Sequence, residues 1–230
     1  MNAETLKISD GTEMQAYVAR PVVAPMKGII VLQEAFGVND YIRRISTRFS
    51  NQGYLAIAPE LFHRTSTGFD ADYTKKEGVV EQMQALSDNT ISVDLKASFD
   101  WLIAQGISEK KVAVIGFCMG GRAAFLANAT LPLAAAVSFY GGGIAQTLLP
   151  RTHELHAPML FVWGGKDTHI LSEHTRAVAD VSTAAGKPFI EVTFSEAGHG
   201  FACDARDAYH APSAREAWAL TDAFLEEHLI

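Results

Sequence analysis

The side chains best placed to do covalent chemistry stand in Gly116-Phe117-Cys118-Met119-Gly120-Gly121. A thiol with glycine two residues before and after it is the G-x-S-x-G nucleophile elbow with cysteine in the serine position, provided a strand precedes it and a helix follows. Val112 to Ile115 reads as that strand, and Arg122-Ala123-Ala124-Phe125 as the opening of that helix. So tight a turn strains its central residue and leaves no room for side chains at Gly116 or Gly120. The helix would aim its free N–H groups and positive dipole end at Cys118, which favours both a thiolate and an oxyanion.

A nucleophile of this kind needs a base and a group to orient it, and behind such an elbow they follow in the order acid, histidine. Asp167 lies in Trp163-Gly164-Gly165-Lys166-Asp167, and His199 in Ala197-Gly198-His199-Gly200-Phe201. Each comes just after an apolar run, where a strand end would deliver it. His199 would hold the thiolate as an ion pair and exchange a proton with the second reactant, while Asp167 would fix its tautomer.

The elements that must position these groups are legible from periodicity. Thr5 to Ser9 and Met14 to Val18 alternate around Asp10-Gly11-Thr12, which predicts a hairpin. Short apolar runs follow at 28–32, 55–58, 112–115, 134–139 and 159–163, with a mixed run at 189–194. Such runs suit a parallel sheet covered on both faces. Helical patterns fill the gaps at Asp40 to Gln52, Val93 to Gln105, Met119 to Ala129, Ser172 to Ala185 and Ser213 to Glu227. The expectation is a single α/β domain over 1–230 with a doubly wound sheet of about eight strands, its chemistry at the carboxyl ends of the strands. The stretch 59–88 breaks the rhythm and reads as a cap over one end of the sheet.

The 230 residues are 48% hydrophobic and 20% charged, enough apolar material for a core and too much for a disordered chain. The formal charge of -7 argues against nucleic acid and anionic membrane as partners. A polar amino terminus and the lack of any long apolar run point to a cytoplasmic protein; a monomer or homodimer is expected, with no nucleic-acid or membrane partner. With two cysteines, Cys118 and Cys203, no disulfide framework is expected.

Four segments together resemble the dienelactone hydrolase family: the elbow, Gln33-Glu34-Ala35-Phe36-Gly37-Val38-Asn39, Ala58-Pro59-Glu60-Leu61-Phe62 and Gly198-His199-Gly200-Phe201. The resemblance runs from about Leu6 to Leu229. It implies an α/β-hydrolase fold and cofactor-independent, metal-independent hydrolysis of a small ester or an enol-lactone such as dienelactone. It puts the nucleophile at Cys118, the acid at Asp167, the base at His199, and at Glu34 the glutamate that contacts the resting thiol. The N–H groups of Ala35 and Met119 match the oxyanion hole. Phe36, Tyr140, Phe201 and Cys203 are the residues expected to bind substrate. The sequence departs from the family at Cys203, where well-known members carry an arginine that clamps a substrate carboxylate. Arg64, Lys75 and Lys76 are the cations nearest to hand in the cap.

Two other readings compete. An α/β-hydrolase scaffold can hold a ligand without turning it over, and Cys118 with Cys203 could form a regulated disulfide. His199 and Cys203 are four apart, as metal ligands can be, but no second pair with zinc spacing accompanies them.

Overall fold

The structure, a computed structural model, describes residues 3–74 and 77–229, so the cap cations Lys75 and Lys76 lie outside the described residues. The elements follow one another as β1 (Ala3–Lys7), β2 (Glu13–Ala19), β3 (Lys27–Leu32), α1 (Asp40–Asn51), β4 (Tyr54–Pro59), α2 (Val79–Ala85), α3 (Asp88–Ala104), β5 (Val112–Phe117), α4 (Met119–Thr130), β6 (Ala135–Phe139), β7 (Met159–Gly164), α5 (Ser172–Ala184), β8 (Phe189–Phe194) and α6 (Ala211–His228). They build one eight-stranded sheet in the order β1-β2-β4-β3-β5-β6-β7-β8. The expected hairpin makes β1 and β2 antiparallel, β2 joins β4 antiparallel, and every pairing from β4 to β8 is parallel. This is the α/β-hydrolase architecture.

Burial explains the sequence pattern. β4, β5, β6 and β7 are buried at every position, so alternation would gain nothing and their runs are continuously apolar. β8, at the sheet edge, is only half-buried, and its composition is correspondingly mixed. From β3 the chain passes to β4 on one side, and β5 lies on the other. Where strand order reverses in this way, the loops leaving the two strands part and open a crevice at their carboxyl ends.

Two local features depart from the sequence reading. Helix α3 begins at Asp88 rather than Val93, because Ser87 caps it: Ser87 Oγ accepts from Thr90 N–H at 3.2 Å, and Thr90 Oγ1 accepts from Ser87 N–H at 3.0 Å. The threonine closes a box that is usually recognised by Glu or Gln. The segment after β4 also contains α2, which is too short to declare a period.

That segment is anchored at its start by charge. Arg64 donates to Asp94 through two nitrogens, both at 2.8 Å, and to Asp10 at 2.9 and 2.7 Å. His63 places its two ring nitrogens 3.1 Å from Glu13 O and 3.2 Å from Asp94 Oδ1. Arg64 is thus committed to a structural network, which removes it as a clamp for a substrate carboxylate. No helix among the described residues is long and apolar enough to cross a membrane.

Helix α4 is tied to the start of β7 through Asn128. Its Nδ2 donates to Ala157 O at 2.8 Å and its Oδ1 accepts from Ala157 N–H at 2.9 Å. Replacing Asn128 with alanine strands two buried backbone groups, and urea denaturation should register a loss of about 2 to 4 kcal/mol. A loss below about 0.5 kcal/mol, the scale of an ordinary surface substitution, would contradict this assignment.

Candidate active site

Cys118 sits between β5 and α4 with φ +54°, a left-handed conformation that a side chain rarely adopts. The turn is held closed by Cys118 N–H donating to Phe139 O at 3.0 Å and by Gly121 N–H donating to Cys118 O at 3.0 Å. A Cβ on Gly116 would stand 1.8 Å from Gly120 O, which is why this position is glycine. The elbow therefore has the conformation, the flanking elements and the steric need that its sequence implied. Cys118 is partly exposed, and its Sγ lies 3.1 Å from His199 Nε2.

Asp167 and His199 arrive from loops that are bonded to each other. Gly165 N–H donates to Phe194 O and Lys166 N–H to Ala197 O, each at 2.8 Å, which lays the chain leaving β7 alongside the chain leaving β8. Asp167 Oδ1 accepts from the amides of His169 and Ile170 at 2.8 and 3.1 Å. Its other oxygen is 2.7 Å from His199 Nδ1. A carboxylate can only accept, so Nδ1 carries the proton and Nε2 is the atom turned to sulfur. Burial works to raise the Asp167 carboxyl, but the hydrogen bond and charge of His199 and the two amides outweigh it and hold the group below the ordinary carboxylate range. Burial likewise works to lower His199, yet Asp167 and the Cys118 sulfur lift it to about 10. The rings of Tyr140 and His169 each approach that of His199 with centroids 5.2 Å apart.

Glu34, at the start of the loop leaving β3, is fully buried, and its Oε1 accepts from Arg206 at 3.0 Å. Desolvation raises its carboxyl above the ordinary value despite the guanidinium. The resemblance placed Glu34 against the resting thiol. Here the carboxylate is turned to a cation instead, because a charge without exposure needs one, and the sulfur is turned to the imidazole. The amides of Ala35 and Met119 have no hydrogen-bond acceptor among the described residues.

The residues expected to touch substrate divide. Phe36 packs its ring 4.5 Å from that of Tyr73, in a small apolar cluster with Ala35 and Val79 that stands apart from the main core. Tyr140, Phe201 and Cys203 have no exposed surface and belong to the main core, so they support the site from beneath rather than line it. Burial also pushes the Cys203 thiol up to about 11, and both cysteines are free, which leaves the regulated disulfide without support. Among the described residues no three His, Cys, Asp or Glu side chains gather as metal ligands do.

Arg206 is the residue that sequence reasoning missed. The chain beyond His199 coils in three-residue turns, with Cys203 N–H bonded to Gly200 O, Arg206 N–H to Cys203 O and Tyr209 N–H to Arg206 O. These turns carry the chain from His199 to Arg206, whose guanidinium reaches Glu34. The arginine was legible, but its reach needed the turns.

Comparison with known proteins agrees over most of the chain. The family model for the dienelactone hydrolase family matches residues 14–229. A Yersinia pestis protein provisionally named carboxymethylenebutenolidase is 39% identical over 226 residues, covering 94% of this chain and 84% of its own. The carboxymethylenebutenolidase of Pseudomonas putida is 33% identical over 209 residues, covering 89% and 87%. A crystal structure from Klebsiella pneumoniae subsp. pneumoniae MGH 78578, provisionally named dienelactone hydrolase, superimposes with a TM-score of 0.88 at 33% identity, covering 97% of this chain and 98% of that one. Motif order, sheet topology and similarity across nearly the full length converge, and the chain belongs to the dienelactone hydrolase family.

Proposed function

We propose that this hydrolase of carboxylic ester or lactone bonds works through a Cys118-His199-Asp167 triad and a thioester intermediate, with a small ester or an enol-lactone as substrate. The observation that carries the reading is the unbroken relay of 3.1 Å from sulfur to Nε2 and 2.7 Å from Nδ1 to carboxylate. The name of the Pseudomonas putida relative, carboxymethylenebutenolidase, favours a lactone ring.

The Cys118 thiolate attacks the carbonyl carbon, forming the C–S bond, and the carbonyl oxygen takes the negative charge. The free amides of Ala35 and Met119, the latter at the positive end of α4, are the donors proposed to receive it. Collapse breaks the C–O bond, and the leaving oxygen takes the proton from His199 Nε2. A lactone leaves its oxygen attached, so the product of this half is a ring-opened acyl thioester on Cys118. His199, again neutral, takes a proton from water as that water attacks the thioester. The second tetrahedral species expels the thiolate and releases a carboxylic acid. Asp167 keeps Nε2 pointed at the reacting atoms throughout and balances the imidazolium. Glu34 and Arg206 place a paired charge beside this chemistry, and Phe36 offers an apolar wall to the substrate.

Cys118→Ala should lower turnover of an activated ester such as p-nitrophenyl acetate by about 10⁴-fold or more with the thermal transition retained. A folded variant that turns over at the wild-type rate would remove the reading. The His199 proton supplies a separate test. Folding raises its pKa from 6.5 to about 10, so its stabilising contribution is complete below 6.5 and is lost as the pH climbs through 10. Thermal unfolding of the wild type should therefore shift to lower temperature between about pH 7 and pH 10, and His199→Gln should flatten that slope. Equal slopes in the two proteins would contradict an imidazolium at this position.

A further inference from the structure

The oxyanion donor on the β3 side belongs to a loop peptide, and a loop peptide needs something to fix its orientation. Gln33 is fully buried, and both ends of its amide are used. Nε2 donates to Glu34 O at 3.3 Å, and Oε1 accepts from Leu61 N–H at 3.1 Å. The peptide unit joining Glu34 to Ala35 is planar, with its C=O and N–H pointing in opposite directions. Tying the Glu34 carbonyl to Gln33 thus aims the Ala35 N–H the other way.

Close packing says what lies near. Gly120, in the first turn of α4, is so close to the end of β3 that a Cβ there would stand 2.4 Å from Leu32 O and 2.5 Å from Gln33 O. The first turn of α4, where Met119 offers the second donor, is therefore packed directly on the residues that lead into Ala35. Leu61, held by the other end of the same amide, packs with Phe62 in the cluster that contains Met119. One buried side chain thereby connects the loop bearing one donor to the segment that rests on the residue bearing the other.

We propose that Gln33 is a positioning residue for the oxyanion hole: by holding the Glu34 carbonyl it keeps the Ala35 N–H directed at the developing oxyanion, and by holding Leu61 N–H it makes this orientation depend on the seating of Leu61 and Phe62. The inference rests on the thioester reading above. Without Gln33 the 34–35 peptide is free to rotate, and a rotated peptide would present a carbonyl oxygen where a donor is required. The effect would be felt where a carbonyl oxygen gains charge and not in the reactivity of the sulfur.

Two reactions separate these cases. Hydrolysis of p-nitrophenyl acetate passes through an oxyanion. Alkylation of Cys118 by iodoacetamide does not: the C–S bond forms as iodide leaves, with no charge developing on a carbonyl oxygen. Gln33→Met removes both hydrogen bonds in a side chain of similar length, whereas Gln33→Glu keeps the acceptor for Leu61 N–H and loses the donor to Glu34 O. Both variants should lose kcat by about 10- to 100-fold, with KM within about 2-fold of wild type because the interaction arises only in the transition state. Alkylation should proceed at the wild-type rate, which also reports an intact fold and triad. Should Gln33→Met fail to fold, Gln33→Glu decides. Wild-type kcat in the variants overturns the proposal, and so does a parallel fall in turnover and alkylation. Turnover persisting in Cys118→Ala would instead sink the thioester reading, whatever the Gln33 variants do.

Discussion

The first turn of α4 is packed against the ends of β3 and β5 at distances that only backbone can occupy. At Gly116 and Gly120 any side chain would drive into a carbonyl oxygen. This contact holds Cys118 at φ +54° at the carboxyl end of β5 and sets the start of a helix beside the loop that follows β3. Strain of about 1 to 3 kcal/mol at such a residue persists only where the surroundings over-determine it. Here they do, because β5 and β6 are buried at every position and the Cys118 amide is pinned to Phe139 O.

Electrostatics then determines which groups can be charged. The site holds two charge systems in little contact with water, each paired within itself. Asp167 and His199 form one with the Cys118 sulfur, and Glu34 and Arg206 form the other. A third, made of Asp10, Arg64, His63 and Asp94, lies at the root of the segment that follows β4. An unpaired charge as deep as Glu34, Asp94 or Asp167 would cost several kcal/mol. This need for pairing accounts for two departures from expectation, since Glu34 turned from the thiol to Arg206 and Arg64 turned from any ligand to Asp94 and Asp10.

Much of the fold was legible in the sequence, because burial on both faces of the central strands writes itself as continuous apolar runs and because glycine stops mark the helices. The meeting of Cys118, His199 and Asp167 was legible for a similar reason: the elbow is a steric requirement expressed as glycines at fixed spacing, and the other two residues lie just beyond strands. Other features depend on geometry that has no fixed spacing. The start of α3 was set by a Ser87 and Thr90 pair, which periodicity does not register. Arg206 reached the site through a run of turns, and Tyr140, Phe201 and Cys203 lie in the core together with the residues just before them. The place of Gln33 rests on the direction of one buried amide, which nothing in a string of letters encodes.

The account stands or falls on whether carbon becomes bonded to the Cys118 sulfur during turnover. The most direct measurement is intact-mass analysis of protein quenched in acid while it turns over an ester or lactone, followed by peptide mapping of the modified residue. The account predicts a mass increase equal to one acyl group, or to the whole ring-opened lactone, located on Cys118 and lost as substrate is exhausted. Full turnover with an unmodified Cys118 in every quenched sample, or an acyl group found on another residue, would contradict it.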